Sequence, residues 1–176
     1  LGSSFFLSNK NDFFLLYSMI HIQYGQAGRF YVTTEEKRIN TSVASSNIRY
    51  LFKLINNMSK SVVYAYGQNQ TVNDRYTLVS VNYGTNDVYT GTVDLTPNGY
   101  WTYEIYEVSW QGSVTLSAGE APANENDVLT PPAASKGIVQ GLVEKGKLLV
   151  SEATGSEEVQ YNQHPEPSGT NYIYVS

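Results

Sequence analysis

Gly99-Tyr100-Trp101-Thr102-Tyr103-Glu104-Ile105-Tyr106-Glu107-Val108-Ser109-Trp110 is the stretch whose reading decides the fold. It follows a turn signal, Thr96-Pro97-Asn98-Gly99. Proline pre-sets φ in such a turn, and Asn-Gly tolerates positive φ. The run itself is aromatic and β-branched, a composition that suits a pleated, half-buried surface. Alternation with period two puts Trp101, Tyr103 and Ile105 on one face and Tyr100, Thr102, Glu104 and Tyr106 on the other. Two of those last four are aromatic, so the second face is not plainly solvated. The stretch reads as a central strand of an antiparallel sandwich, with Trp101 in its core.

Working outward, further strands appear at a spacing of roughly ten residues. Residues 19–24 and 29–34 read as two short strands around Gly25-Gln26-Ala27-Gly28. Ile48–Ile55 presents Tyr50, Phe52 and Leu54 on one face. A five-residue loop, Asn56 to Lys60, then leads into Ser61–Tyr66 as a hairpin. Residues 67–74 read as polar loop. Arg75–Tyr83 alternates Tyr76, Leu78 and Ser80 against Thr77, Val79 and Val81, and Val88–Leu95 is the next strand. Phe52, Leu54, Val63, Leu78, Val93, Trp101, Tyr103 and Ile105 form the expected core.

Past Trp110 the texture changes. Residues 111–143 read as a long insertion, with a short strand at Ser113–Leu116 and a polar, Pro-interrupted surface loop unsuited to a core. Ile138–Val143 and Lys147–Val150 flank Glu144-Lys145-Gly146 as a hairpin. A helix over 135–144 competes with that reading, but Gly137 and Gly141 argue against it. The pattern is about seven strands with no convincing helix, an all-β, immunoglobulin-like antiparallel sandwich spanning 19–150 with N- and C-terminal extensions. Residues 1–18 admit three readings: sequence upstream of a start at Met19, a secretory signal, or an arm that inserts into a neighbour. Residues 151–176 are acidic, then Pro-rich. Their last strand-like run, Tyr172-Ile173-Tyr174-Val175, has no evident partner within the chain.

Composition narrows the function. The chain has 176 residues, enough to bury a core, and no cysteine, so thiolate metal sites and disulfides are excluded. Its formal charge is −5, which leaves no basic footprint for nucleic acid. No apolar run reaches the about 18 residues of a membrane span. The two histidines, His21 and His164, sit in no metal-ligand spacing. No nucleophile elbow, zinc-protease motif or phosphate-binding glycine loop occurs. Glu104 and Glu107 fall on opposite faces of a strand and cannot act as a carboxylate pair. Asn124-Glu125-Asn126-Asp127 is oxygen-rich but lacks the spacing of a calcium loop. Gly25-Gln26-Ala27-Gly28 has no basic helix after it and reads as a glycine turn rather than a nucleic-acid clamp. Asn40-Thr41-Ser42, Asn57-Met58-Ser59 and Asn69-Gln70-Thr71 match glycosylation acceptors, triplets that chance supplies readily in such a composition. The expectation is therefore a protein with no catalytic residue, no cofactor and no metal.

Four stretches taken together carry a resemblance: Arg29–Thr33, Tyr50–Asn56, Gly99–Glu107 and Glu144–Val150. The series resembles small immunoglobulin-like virion proteins of tailed bacteriophages, including marine and crAss-like phages of Bacteroidetes. It is similar in outline to the immunoglobulin-like domain of phage baseplate upper proteins. The resemblance covers roughly Met19 to Val150. It makes Arg29–Thr34 the first strand, Tyr50–Asn56 the second, Trp101–Val108 the sixth and Lys147–Val150 the last. It implies a non-enzymatic structural protein on the virion exterior, most of all a capsid auxiliary or decoration protein, assembling with other virion proteins or copies of itself. A tail or baseplate component, or a secreted bacterial carbohydrate-binding or adhesion module at the cell surface, is the alternative. Tyrosine and tryptophan bury large area with few rotors to freeze. The expected contact residues are therefore Tyr64, Tyr66, Tyr100, Tyr106, Trp110, Tyr172 and Tyr174.

Overall fold

The computed structural model describes residues 19–153, and the expectations for 1–18 and 154–176, Tyr172 and Tyr174 among them, lie outside it. Nine strands are present among the described residues: β1 (Ile20–Gln23), β2 (Gly28–Val32), β3 (Ile48–Asn56), β4 (Val62–Tyr66), β5 (Gln68–Val72), β6 (Thr77–Tyr83), β7 (Thr92–Val93), β8 (Gly99–Ser109) and β9 (Ile138–Ser151). They form a five-stranded sheet in the order β1-β9-β8-β3-β4 and a second sheet built on β2-β6-β5, with β7 beside β6. The two pack face to face as an all-β sandwich. The chain crosses from one sheet to the other at the β1–β2, β2–β3 and β4–β5 connections, while the β3–β4 hairpin stays within the larger sheet. Both sheets are mixed, because β1 runs parallel to β9 and β7 parallel to β6. No helix among the described residues is long and apolar enough to cross a membrane.

β8 lies at the centre of its sheet, paired with β3 on one side and β9 on the other. Its inward row is Trp101, Tyr103 and Ile105, all buried, as the alternation requires. They meet Phe52 and Leu54 of β3, Val63 of β4 and Val93 in one core cluster. Phe30 and Phe52 join the two sheets through an edge-to-face contact at 5.3 Å. The Trp101 indole N–H donates to the Pro97 carbonyl at 3.1 Å, so the ring is buried without stranding its polar atom.

The structure corrects several expectations. Leu78 is outside the core: β2 pairs with β6 so that Phe30 faces Val79 and Val32 faces Thr77, which leaves Leu78 opposite Tyr31 on the outer face. The two short strands expected around Gly25–Gly28 are present as β1 and β2, one in each sheet. Gln68–Val72, expected as loop, pairs with β6 around a bulge. Val88–Leu95 keeps only Thr92–Val93 as strand, although Val93 and Leu95 are buried. Ser113–Leu116 is not a strand, and no helix forms over 135–144. Glu144-Lys145-Gly146 is no turn, because β9 runs unbroken through it against Ile105, Glu104 and Tyr103. Gly146 is required there because the Tyr103 ring occupies the place of a Cβ. The loop after β8 thus ends at residue 137, not 143.

Two inward carboxylates tie down the segment after β2. Glu107, fully buried, accepts backbone N–H bonds from Ile39 at 2.7 Å and Asn40 at 2.8 Å. Glu144 accepts the Thr33 N–H at 2.7 Å and the Tyr103 hydroxyl at 3.1 Å. Glu107 holds backbone through both oxygens, and Glu144 holds backbone through one and the Tyr103 hydroxyl through the other, which is how a carboxylate is tolerated inside a sandwich.

Candidate functional site: the outer face of the five-stranded sheet

The outward row of β8 is Tyr100, Thr102, Glu104, Tyr106, Val108 and, just past the strand, Trp110. Register aligns it with Arg49, Leu51, Lys53 and Ile55 of β3, and β3 in turn with Val62, Tyr64 and Tyr66 of β4. On the far side stand Lys145, Lys147 and Leu149 of β9. This face divides into two halves.

One half is closed. Leu51, Tyr66, Val108, Trp110 and Ala121 form a second buried cluster, with Val114 and Leu116 packed against it. Residues 111–137, expected to be solvated, fold back over the sheet and supply Ala121, Pro122, Val114 and Leu116 as a lid of small and branched apolar groups. The Tyr66 hydroxyl donates to the Pro122 carbonyl at 2.8 Å, and Gly137 N–H donates to the Glu120 carbonyl at 2.8 Å. Gly137 lies against the Trp110 ring, where any Cβ would collide. Tyr66 and Trp110, expected as contact residues, are both 0% exposed, so they serve this inner packing.

The boundary is a polar network. The Lys53 ammonium donates to Glu125 at 2.6 Å and lies 3.9 Å from Glu104. Lys145 donates to Glu104 at 2.8 Å, and the Tyr106 hydroxyl donates to the other Glu104 oxygen at 3.0 Å. The Lys145 hydrogen bond, helped by Tyr106 and Lys53, holds the Glu104 carboxyl below its ordinary value against the opposing effect of burial. Burial, then the bond to Glu104, pushes the Tyr106 phenol up to about 12. Burial likewise raises Tyr64, with Glu125 beside it adding to the shift. Glu125 would be raised by burial, but its bonds from Lys53 and Tyr64 outweigh that and lower it. Tyr64 and Tyr106, both partly buried, are therefore fixed in this network. Two oxygens of the Asn124–Asp127 stretch hold backbone: Asp127 accepts the Ala123 N–H at 2.9 Å and Asn124 accepts that of Asn126 at 2.9 Å. Among the described residues no group of three or more acidic or histidine side chains is placed to hold a metal ion.

The other half is open. Tyr100 is 58% exposed, Val62 43%, and Ile55, Thr102 and Leu149 are half-buried beside them. Lys147 and His21 border the patch, both exposed. Of the five expected contact residues within the described chain, Tyr100 alone stands out from the surface here. A second exposed pair was not foreseen. Tyr31, 65% exposed, meets Tyr76 edge to face at 5.1 Å on the outer side of the smaller sheet. Its signal in the sequence is the alternation of Arg29–Thr34, since period two sets Tyr31 on the face opposite to Phe30 and Val32, which are buried.

Compared with known proteins, the chain matches no family model, no curated protein and no solved structure.

Proposed function

We propose that this chain is a non-enzymatic structural protein of a tailed-bacteriophage virion, an auxiliary protein that decorates the outside of the capsid. The reading is supported by the resemblance of the strand series and by the sandwich itself. The observation that carries it is the half-covered sheet face: Tyr100, Ile55, Val62 and Leu149 leave a mixed apolar patch open on a rigid five-stranded platform. A contact patch of this kind draws affinity from buried area around an aromatic anchor and needs no reacting group. Other virion proteins or further copies of the chain are its partners. The test is a particle-binding assay with the full chain. Tyr100→Ala is expected to reduce occupancy at least tenfold while leaving the circular dichroism spectrum intact. Wild-type occupancy by that variant would overturn the assignment of the patch. A secreted bacterial carbohydrate-binding or adhesion module is the second reading, favoured by the exposed Tyr31–Tyr76 pair as a stacking surface. Specific micromolar glycan binding that Tyr31→Ala abolishes would select it.

A further inference from the structure

Where the chain crosses from β4 in one sheet to β5 in the other, it leaves a cavity of about 420 Å³ lined by Arg49, Gln68, Asn69, Gln70, Val114 and Leu116. Gly67 N–H donates to the Tyr50 carbonyl at 3.0 Å, and the Gln70 amide donates to the Ile48 carbonyl at 3.3 Å, so this crossing is fastened to β3. A bulge interrupts the β5–β6 register between Gln68 and Thr71, and Asn69 adopts a φ of 49° within it. Bulges of this kind re-aim side chains, and here one gathers three amide side chains around the cavity.

Two features of the lining are incomplete. Arg49 is partly buried, and burial lowers its pKa. Its Nη1 donates to the carbonyls of Ser46 at 3.0 Å and Ile48 at 2.7 Å, and among the described residues no carboxylate lies within ion-pair distance of it. Glu35, Glu104 and Glu125 are ion-paired with other cations, while a partly desolvated guanidinium keeps donors for a planar anion. The second feature is Gln70 Oε1, a buried acceptor with no hydrogen-bond partner. The Nε2 bond to Ile48 fixes the orientation of the amide, so the orphan atom is an oxygen. An anion satisfies the first feature and a hydroxyl donor the second. Val114 and Leu116 supply an apolar wall for a carbon skeleton.

We infer that this cavity binds an acidic sugar unit, its carboxylate on the Arg49 guanidinium and a nearby hydroxyl donating to Gln70 Oε1. A uronic acid presents both groups on one ring. A neutral hexose offers only the hydroxyls and acetate only the carboxylate, so each meets half of the lining. The cavity lies apart from the Tyr100 patch, and its ligand is independent of what that patch contacts.

The test is a two-dimensional amide NMR titration of the full chain with D-glucuronate, D-glucose and acetate. Glucuronate is expected to give saturable shifts at residues 49 and 67–70 with a Kd in the roughly millimolar range. Glucose and acetate should each bind at least tenfold more weakly. Arg49→Gln should weaken glucuronate at least tenfold, and Gln70→Leu should shrink its advantage over acetate. Absence of saturable shifts, shifts confined to other residues, or unchanged affinity in a folded Arg49→Gln protein would overturn the inference. Should Arg49→Gln fail to fold, Gln70→Leu decides: an unchanged glucuronate-to-acetate ratio overturns it and a reduced ratio upholds it.

Discussion

Tyr100 and Trp110 stand at opposite ends of the outward row that begins on β8, yet one is 58% exposed and the other is sealed. The difference does not come from the strand. Alternation gives both residues the same orientation, and both are large aromatics. What separates them is the loop over residues 111–137, which covers the Trp110 end with Val114, Leu116, Ala121 and Pro122 and stops short of the Tyr100 end. Burial on a sheet's outer face is thus decided by what lies across it, not by the strand's own pattern.

The comparison can be broken at several points. The largest effect is expected from the inward row, as a reference: Trp101→Ala should cost about 3–5 kcal/mol in denaturant unfolding, the range for deleting a large core aromatic. A loss under about 1 kcal/mol would mean that the main core does not rest on this residue. Trp110→Ala should cost about 3 kcal/mol. Its amide exchange should rise first in residues 111–137, because the loop loses the ring it closes on. Uniform exchange across both sheets would show that the second cluster is no separate unit.

How much of this was legible in the sequence follows from the same physics. The inward row could be read because one strand states its own alternation, and Trp101, Tyr103 and Ile105 obey it. The second cluster could not, since its cover consists of Val114, Leu116, Ala121 and Pro122 scattered without period among polar residues. The face of Leu78 is not legible in the sequence because Arg75–Tyr83 carries apolar groups on both faces, and only the register with Phe30 and Val32 separates them. β5 is Gln-Asn-Gln-Thr-Val, a strand held by its partner's backbone rather than by composition. Gly146 looked like a turn signal and is instead the space that the Tyr103 ring needs. For the candidate site, aromatic content could not say which rings are outside: Tyr100 is exposed, whereas Tyr66 and Trp110 are buried.

Smaller effects sharpen the picture. Glu107→Gln should cost about 1–3 kcal/mol, because an amide presents a donor to one of two backbone N–H groups that now share a carboxylate. Thermal unfolding of a folded variant measures it, and an unchanged midpoint would remove Glu107 as the anchor of residues 39–40. The boundary network should show itself in alkali. An unfolded tyrosine titrates near about 10, whereas Tyr106 in the fold is raised to about 12. The unfolded chain therefore loses that proton first, and stability falls as pH rises through this window. Tyr106→Phe should flatten that part of the curve, and an identical alkaline slope in the variant would contradict the assignment.

The most direct measurement is hydroxyl-radical footprinting of the full chain, free and bound to particles, read out by mass spectrometry at single residues. Tyr100 should label strongly in the free protein and become protected on the particle, with Trp110 protected in both. Equal labelling of Tyr100 in the two states, or strong labelling of Trp110 in the free chain, would contradict the division of the face into a closed half and a contact half.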